Sequence, residues 1–202
     1  HFDIRKHVVE YDDVMNQHRD VIYSERDQVL AGESMRETVL GMVEEEITSL
    51  AHEHLEEAPA DPEAFRLAVE AIVPLRDALP IAEIVKRPLE EMLEEVSSLV
   101  EMRYQDIEEG TGEEAQRQIE RIVLQRTIDV LWVQHLTAID ELRQGIGLRA
   151  YGQANPLIAY KREAHDMWEQ LLDNIRSGVA RQLFHARLVS HPRTESTVPS
   201  NV

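Results

Sequence analysis

Residues 113–188 carry the feature that most limits the fold: two stretches of helical periodicity separated by a glycine-rich loop that contains no acid. Apolar residues recur at Leu124, Ile128, Leu131, Ala138 and Leu142, then at Leu157, Tyr160, Ala164, Met167, Leu171 and Ile175. This three-and-four spacing paints one stripe on each of two helices, which predicts an antiparallel hairpin. Gly145, Gly147 and Gly152 supply backbone freedom where the first helix is expected to stop, and Asn155-Pro156 places a capping side chain before a proline suited to a first turn. Each arm of about 30 residues would extend about 45 Å, so the predicted tip stands well away from the body.

Helices are expected throughout. The aromatic fraction is 5%, the apolar residues are mostly aliphatic, and no stretch alternates as a half-buried strand would. With 43% hydrophobic and 30% charged residues the 202-residue chain has enough apolar material for packed domains. It contains no cysteine, which removes disulfides and thiolate metal sites and leaves the compartment open. The longest uncharged runs, 130–139 and 150–160, are about half the length that spans a bilayer, and no signal peptide pattern opens the chain, so a soluble protein is expected. A first residue His1, with periodicity starting almost at once, reads as a piece of a longer chain.

The net charge of −18 is unevenly spread. Residues 31–112 hold 21 acidic and 6 basic side chains, whereas 113–188 hold 10 of each. Between Arg143 and Arg162 lie Arg149 and Lys161 and no acid, so a basic tip stands on an acidic protein. Such a balance disfavours a nucleic-acid partner.

The rest of the chain divides around this hairpin. Ile4, Val8, Tyr11, Met15, His18, Ile22, Glu25 and Val29 step by four and three, a heptad seam with two polar members, on one long helix ending at 31–33. Ser34 and Glu37 are spaced as a capping box, which predicts a helix over 35–56; Asp61-Pro62 starts a shorter one to about 73. Pro74, Pro80 and Pro88 break the next stretch into short pieces, and a further helix is predicted over 89–108. Gly110 to Gly112 separates this helical insertion from the hairpin, with Thr111 and Glu114 as another capping box. The boundaries are therefore placed at 1–33, 34–112, 113–188 and a tail of 189–202 poor in core-forming residues, expected to be disordered.

Catalytic patterns are missing. None of Lys6, Lys86 and Lys161 follows a glycine, so no phosphate-cradling loop is present and no catalytic residue is assigned. His52 and His54 point about 200° apart on a helix and cannot chelate one ion from one face; no histidine has a glutamate three residues before it, as a carboxylate-bridged bundle requires. Metal and cofactor sites are therefore assigned to none of the residues. Glu44 to Glu46, Glu56-Glu57, Glu90-Glu91 and Glu94-Glu95 read as solvated helix faces. Trp132 and Trp168 read as core or partner-contact aromatics, and Asp129 and Asp140 as exposed or paired with bases. Around Tyr151 two readings stand: the ring packs on its own loop, or it contacts a partner together with Ile146, Leu148, Arg149, Leu157 and Ile158, an unusually apolar set for a turn.

Two long runs then match something specific: FDIRKHVVEYDDVMN at residues 2–16, and LWVQHLTAIDELRQGIGLRAYGQANP at 131–156, continuing to Glu163. They resemble the SecA family of ATP-driven motors for bacterial preprotein translocation, and the likeness runs from Phe2 to about Leu188. The resemblance implies an all-α fold in which 1–33 is the long helix of the helical scaffold, 34–112 the helical wing, and 113–188 a two-helix finger continuing the scaffold. It implies that Tyr151, flanked by Ile146, Leu148, Arg149 and Gln153, contacts the translocating polypeptide near the SecY channel, with Gly145, Gly147, Gly152 and Pro156 shaping the tip. ATP and magnesium would be bound by motor domains outside these residues. The implied partners are the SecY complex, preproteins, the remaining SecA domains and acidic lipid at the cytoplasmic face of the inner membrane, with no transmembrane segment; the implied location is the bacterial cytoplasm and that face. A helical interaction module with no motor parent, and a helical metalloenzyme, are the competing readings.

Overall fold

The computed structural model describes residues 2–31, 34–56, 58–75, 78–149 and 155–188; side chains are described from Val9 onward, and not for 147–149. Seven α-helices and one π-helical turn form it: α1 Phe2–Leu30, α2 Arg36–Ala51 running into the π-turn His52–Glu56, α3 Pro62–Ile72, α4 Ile81–Lys86, α5 Leu89–Thr111, α6 Glu113–Arg149 and α7 Pro156–Leu183. No strand occurs among the described residues. The all-α expectation holds.

Local chemistry starts two helices as predicted. The Asp61 carboxylate accepts the amide N–H of Ala64 at 2.9 Å, and the Asn155 side-chain oxygen accepts that of Leu157 at 3.0 Å, each with proline at the first helical position. The two predicted capping boxes do not form. Ser34 Oγ meets only the N–H of Arg36 at 3.5 Å, and Thr111 is the last residue of α5. The break between α5 and α6 is a single residue, Gly112, whose φ of 92° lies in the left-handed region that glycine occupies without cost.

Gly145 and Gly147 do not end the first arm; α6 continues through both to Arg149. Each glycine costs a helix about 1 kcal/mol, and tertiary burial offsets it: Ile146 between them is 4% exposed, packed with Ile139, Leu142, Tyr160 and Ala164 and against Tyr11, Val14 and Met15 of α1. The tip is accordingly shorter than the sequence suggests.

A second, larger core joins α1, α2, α3, α5 and the base of the hairpin through Ile22, Val29, Val39, Val43, Phe65, Val69, Val96, Val100, Leu124, Ile128, Ile175 and Val179. Here α6 and α7 approach closely because Gly178 lacks a side chain: a Cβ there would lie 2.8 Å from Thr127 Cγ2. Gly178→Val is expected to destabilise the chain by about 2 kcal/mol, through overpacking against a stiff β-branched neighbour. Gly178→Ala should cost less, because the gain in helix propensity offsets part of the clash. Thermal melts check this; an unchanged melting temperature for the valine variant would mean that the helices separate freely at this crossing.

Candidate interaction hairpin and its joints

The hairpin is not a free arm. Along α1 a ladder of side chains binds it, beginning near the tip, where the rings of Tyr11 and Tyr160 meet edge to face with centroids 4.6 Å apart and the Tyr160 hydroxyl reaches Tyr11 O at 3.5 Å. Beside them Arg143 donates to Asp12 at 2.7 Å. Farther along, Arg26 pairs with Asp129 at 3.0 Å. From Asp12 to Arg26 the chain advances 14 residues on α1 while the partners step back 14 on α6, from Arg143 to Asp129, so the helices run antiparallel in matched register for about 21 Å.

Midway sits a buried aromatic joint. His18 Nδ1 and His135 Nε2 lie 3.1 Å apart, one donating and the other accepting. Trp168 of α7 stacks on His18 with centroids 4.4 Å apart, and Trp132 lies against His135 at 5.6 Å. Burial, then the neighbouring His135 and His165, lowers the His18 pKa from 6.5 to about 4; burial lowers that of His135 as well. Both rings are thus neutral near pH 7. His18 is one of the two polar members of the predicted seam; the other, Glu25, is exposed. The sequence signal for His135 is weak, since its partner is 117 residues away in the chain.

Two polar joints tie the insertion to the hairpin. Glu46, expected on a solvated face, is buried: Ser177 Oγ donates to it at 2.8 Å, with Arg176 at 3.5 Å and Arg181 at 3.7 Å. At the elbow around Gly112, the Tyr104 hydroxyl donates to Glu120, and Arg117 reaches Glu120, Glu108 and, at 2.7 Å, the Tyr104 oxygen. Glu120 is 0% exposed. Burial pushes its carboxyl above the usual range despite the Tyr104 hydroxyl and the Arg117 guanidinium, and burial followed by Glu120 raises the Tyr104 hydroxyl, which remains a donor. Arg36 lies 5.2 Å above the Tyr104 ring, and the Tyr104 and Phe184 rings stand nearly perpendicular with centroids 6.4 Å apart, so the ends of several helices converge there. None of these buried charges stands out in the local sequence.

Of the tip residues singled out, Tyr151, Gly152 and Gln153, and the side chains of Leu148 and Arg149, lie outside the described residues. Gly145 sits within α6 with open space around it, Pro156 opens α7, and Ile146 faces inward as described above. Ile158 is 66% exposed next to the tip, and Lys161 and Arg162 are exposed on the same end. Arg143 is engaged by Asp12, which removes one cation from the predicted basic set. Asp129, expected to be exposed or paired, is paired. His52 contacts Glu56 at 2.5 Å on the π-turn.

Comparison with known proteins then places the chain. The SecA Wing and Scaffold domain matches residues 1–187. This chain belongs to that SecA family. It is 37% identical over 199 residues to the protein translocase subunit SecA of Dehalococcoides mccartyi, covering 97% of this chain and 21% of that protein. The SecA of Clostridium acetobutylicum is 35% identical over 201 residues (98% of this chain, 24% of that protein), and SecA 1 of Clostridioides difficile 39% over 184 (91% and 21%). The chain therefore spans between a fifth and a quarter of these SecA relatives. No helix among its described residues is long and apolar enough to cross a membrane.

Proposed function

We propose that this chain forms the scaffold helix, wing and two-helix finger of a SecA motor, and that its finger transmits ATP-driven motion to a polypeptide entering the SecY channel. The observation that carries this reading is the bracing of the hairpin along α1 by Tyr11 with Tyr160, Asp12 with Arg143, His18 with His135 and Arg26 with Asp129. A tip fixed to a long helix in this way moves with that helix as one lever. ATP and magnesium are assigned to domains outside this chain, and the chain itself is a mechanical part with no catalytic residue.

At the tip, Tyr151 with Leu148, Arg149 and Gln153 would grip varied segments by side-chain contact, without sequence-specific hydrogen bonds. Ile158 adds exposed apolar surface, and Lys161 and Arg162 favour acidic lipid or channel surface at the cytoplasmic face of the membrane. Family membership favours this over a helical module of unrelated parentage. In the complete protein, Tyr151→Ala is expected to lower preprotein transport by about fivefold or more, the scale of one lost aromatic anchor, while ATP hydrolysis changes far less. Transport at the wild-type rate would remove Tyr151 from the mechanism.

A further inference from the structure

A groove of about 510 Å³ opens where α1, α2, the first half of α6 and α7 meet. Its floor is apolar, formed by Ile22, Val29, Leu124 and Ile175 with Met35 and Met42, and its lips expose Val21 (46%) and Leu172 (39%). Around it stand Glu25, Glu45 and Glu169, contributed by three different helices. No base among the described residues contacts these three. Among the described residues the one cation on the rim is Arg176, which is held by Asp173 at 3.1 Å and by Glu46 at 3.5 Å. An apolar trough with an uncompensated acidic rim is complementary to a segment presenting apolar side chains between lysines or arginines, the pattern of an amphipathic helix laid in a groove.

We propose that this groove is a docking site for a basic amphipathic polypeptide segment, whose apolar face fills the trough and whose cations meet Glu25, Glu45 and Glu169. The volume suits two or three aliphatic anchors, and the three carboxylates surround them, so both halves of the recognition come from one place in the fold. The proposal uses none of the tip residues and stands apart from the role of Tyr151.

The test titrates the 202-residue chain with a fluorescein-labelled helical peptide of leucines and lysines in amphipathic register, and with its counterpart carrying glutamate for lysine. Saturable one-to-one binding of the lysine peptide is expected, weakening as salt shortens the screening length. It should fall about tenfold or more in the triple variant E25K, E45K and E169K, and stay within about twofold in a control reversal of three exposed acids elsewhere, E53K, E94K and E109K. Methyl NMR signals of Val21 and Leu172 in the unmutated chain should shift, while those of Ile84 and Val100, buried in the wing, should not. Equal losses in both triple variants would overturn the proposal in favour of general attraction to an acidic chain, as would unshifted Val21 and Leu172 methyls. Equal binding of the glutamate peptide would overturn the charge assignment. Concentration-dependent dimerisation abolished by Leu172→Asp would name a second copy as the occupant instead.

Discussion

Arg117→Ala is expected to destabilise this chain by about 3–5 kcal/mol, the largest effect of any single charge deletion at its joints. The guanidinium sits at the elbow between α5 and α6 and touches Glu120, Glu108 and the Tyr104 hydroxyl. Without it the fully buried Glu120 keeps, among the described residues, only the Tyr104 hydroxyl as a donor. A carboxylate in that position must either stay charged without a counter-ion or take up a proton, and burial has already raised its affinity for one.

Removing both partners is a different experiment. The double variant Arg117→Leu with Glu120→Leu replaces the pair with apolar volume and should recover most of the loss, because desolvation of the two ions is avoided. The Tyr104 hydroxyl would then lack an acceptor, leaving a residual cost of about 1–2 kcal/mol. Urea denaturation of wild type, Arg117→Leu, Glu120→Leu and the double completes the cycle. An Arg117→Ala variant within about 1 kcal/mol of wild type would show that water reaches Glu120 and that the elbow is not a buried joint.

How much of this is legible in the sequence depends on the range of each interaction. Asp61 and Asn155 cap their helices through amides two or three residues away, and chemistry that local reads directly from the sequence. Gly145 and Gly147 mislead because their helix is held by Ile146, whose burial depends on α1 and α7, far away in the chain. The same logic hides Glu46, which resembles its exposed neighbours Glu44 and Glu45 until α7 brings Ser177, Arg176 and Arg181 to it. Glu120 looks like one more solvated acid, since nothing in the spacing of charges reveals which carboxylate faces a tyrosine from the neighbouring helix. His18 is the intermediate case. Its place in an apolar seam marks it as inward-facing, but only the fold supplies His135 and Trp168. The tip residues rest on resemblance for a different reason, as Tyr151 to Gln153 lie outside the described residues.

The His18 and His135 joint makes the hold of α1 on the hairpin pH-dependent, with a sign fixed by burial. In the unfolded chain His18 titrates at its ordinary value of 6.5; in the fold it stays neutral down to about 4. Above pH 6.5 neither state takes a proton there, and stability is insensitive to this group. As the pH falls from 6.5 towards 4 the unfolded state gains a proton that the folded state refuses, so stability is lost across that window and levels off below it. For His18 alone this is about 2 kcal/mol at pH 5, and the lowered pKa of His135 adds in the same direction. Among the described residues, the groups set against the pair are His165 and the neutral rings of Trp132 and Trp168, none of which supplies a carboxylate to hold an imidazolium. His18→Phe preserves the stack on Trp168 and removes one titrating ring, at a cost of about 1 kcal/mol at pH 7.5 for the hydrogen bond that His135 loses. Between pH 7.5 and pH 5, this variant should lose about 2 kcal/mol less stability than wild type, read from urea midpoints at the two pH values. An identical loss in both proteins would place the acid sensitivity elsewhere and leave the histidine pair as packing alone.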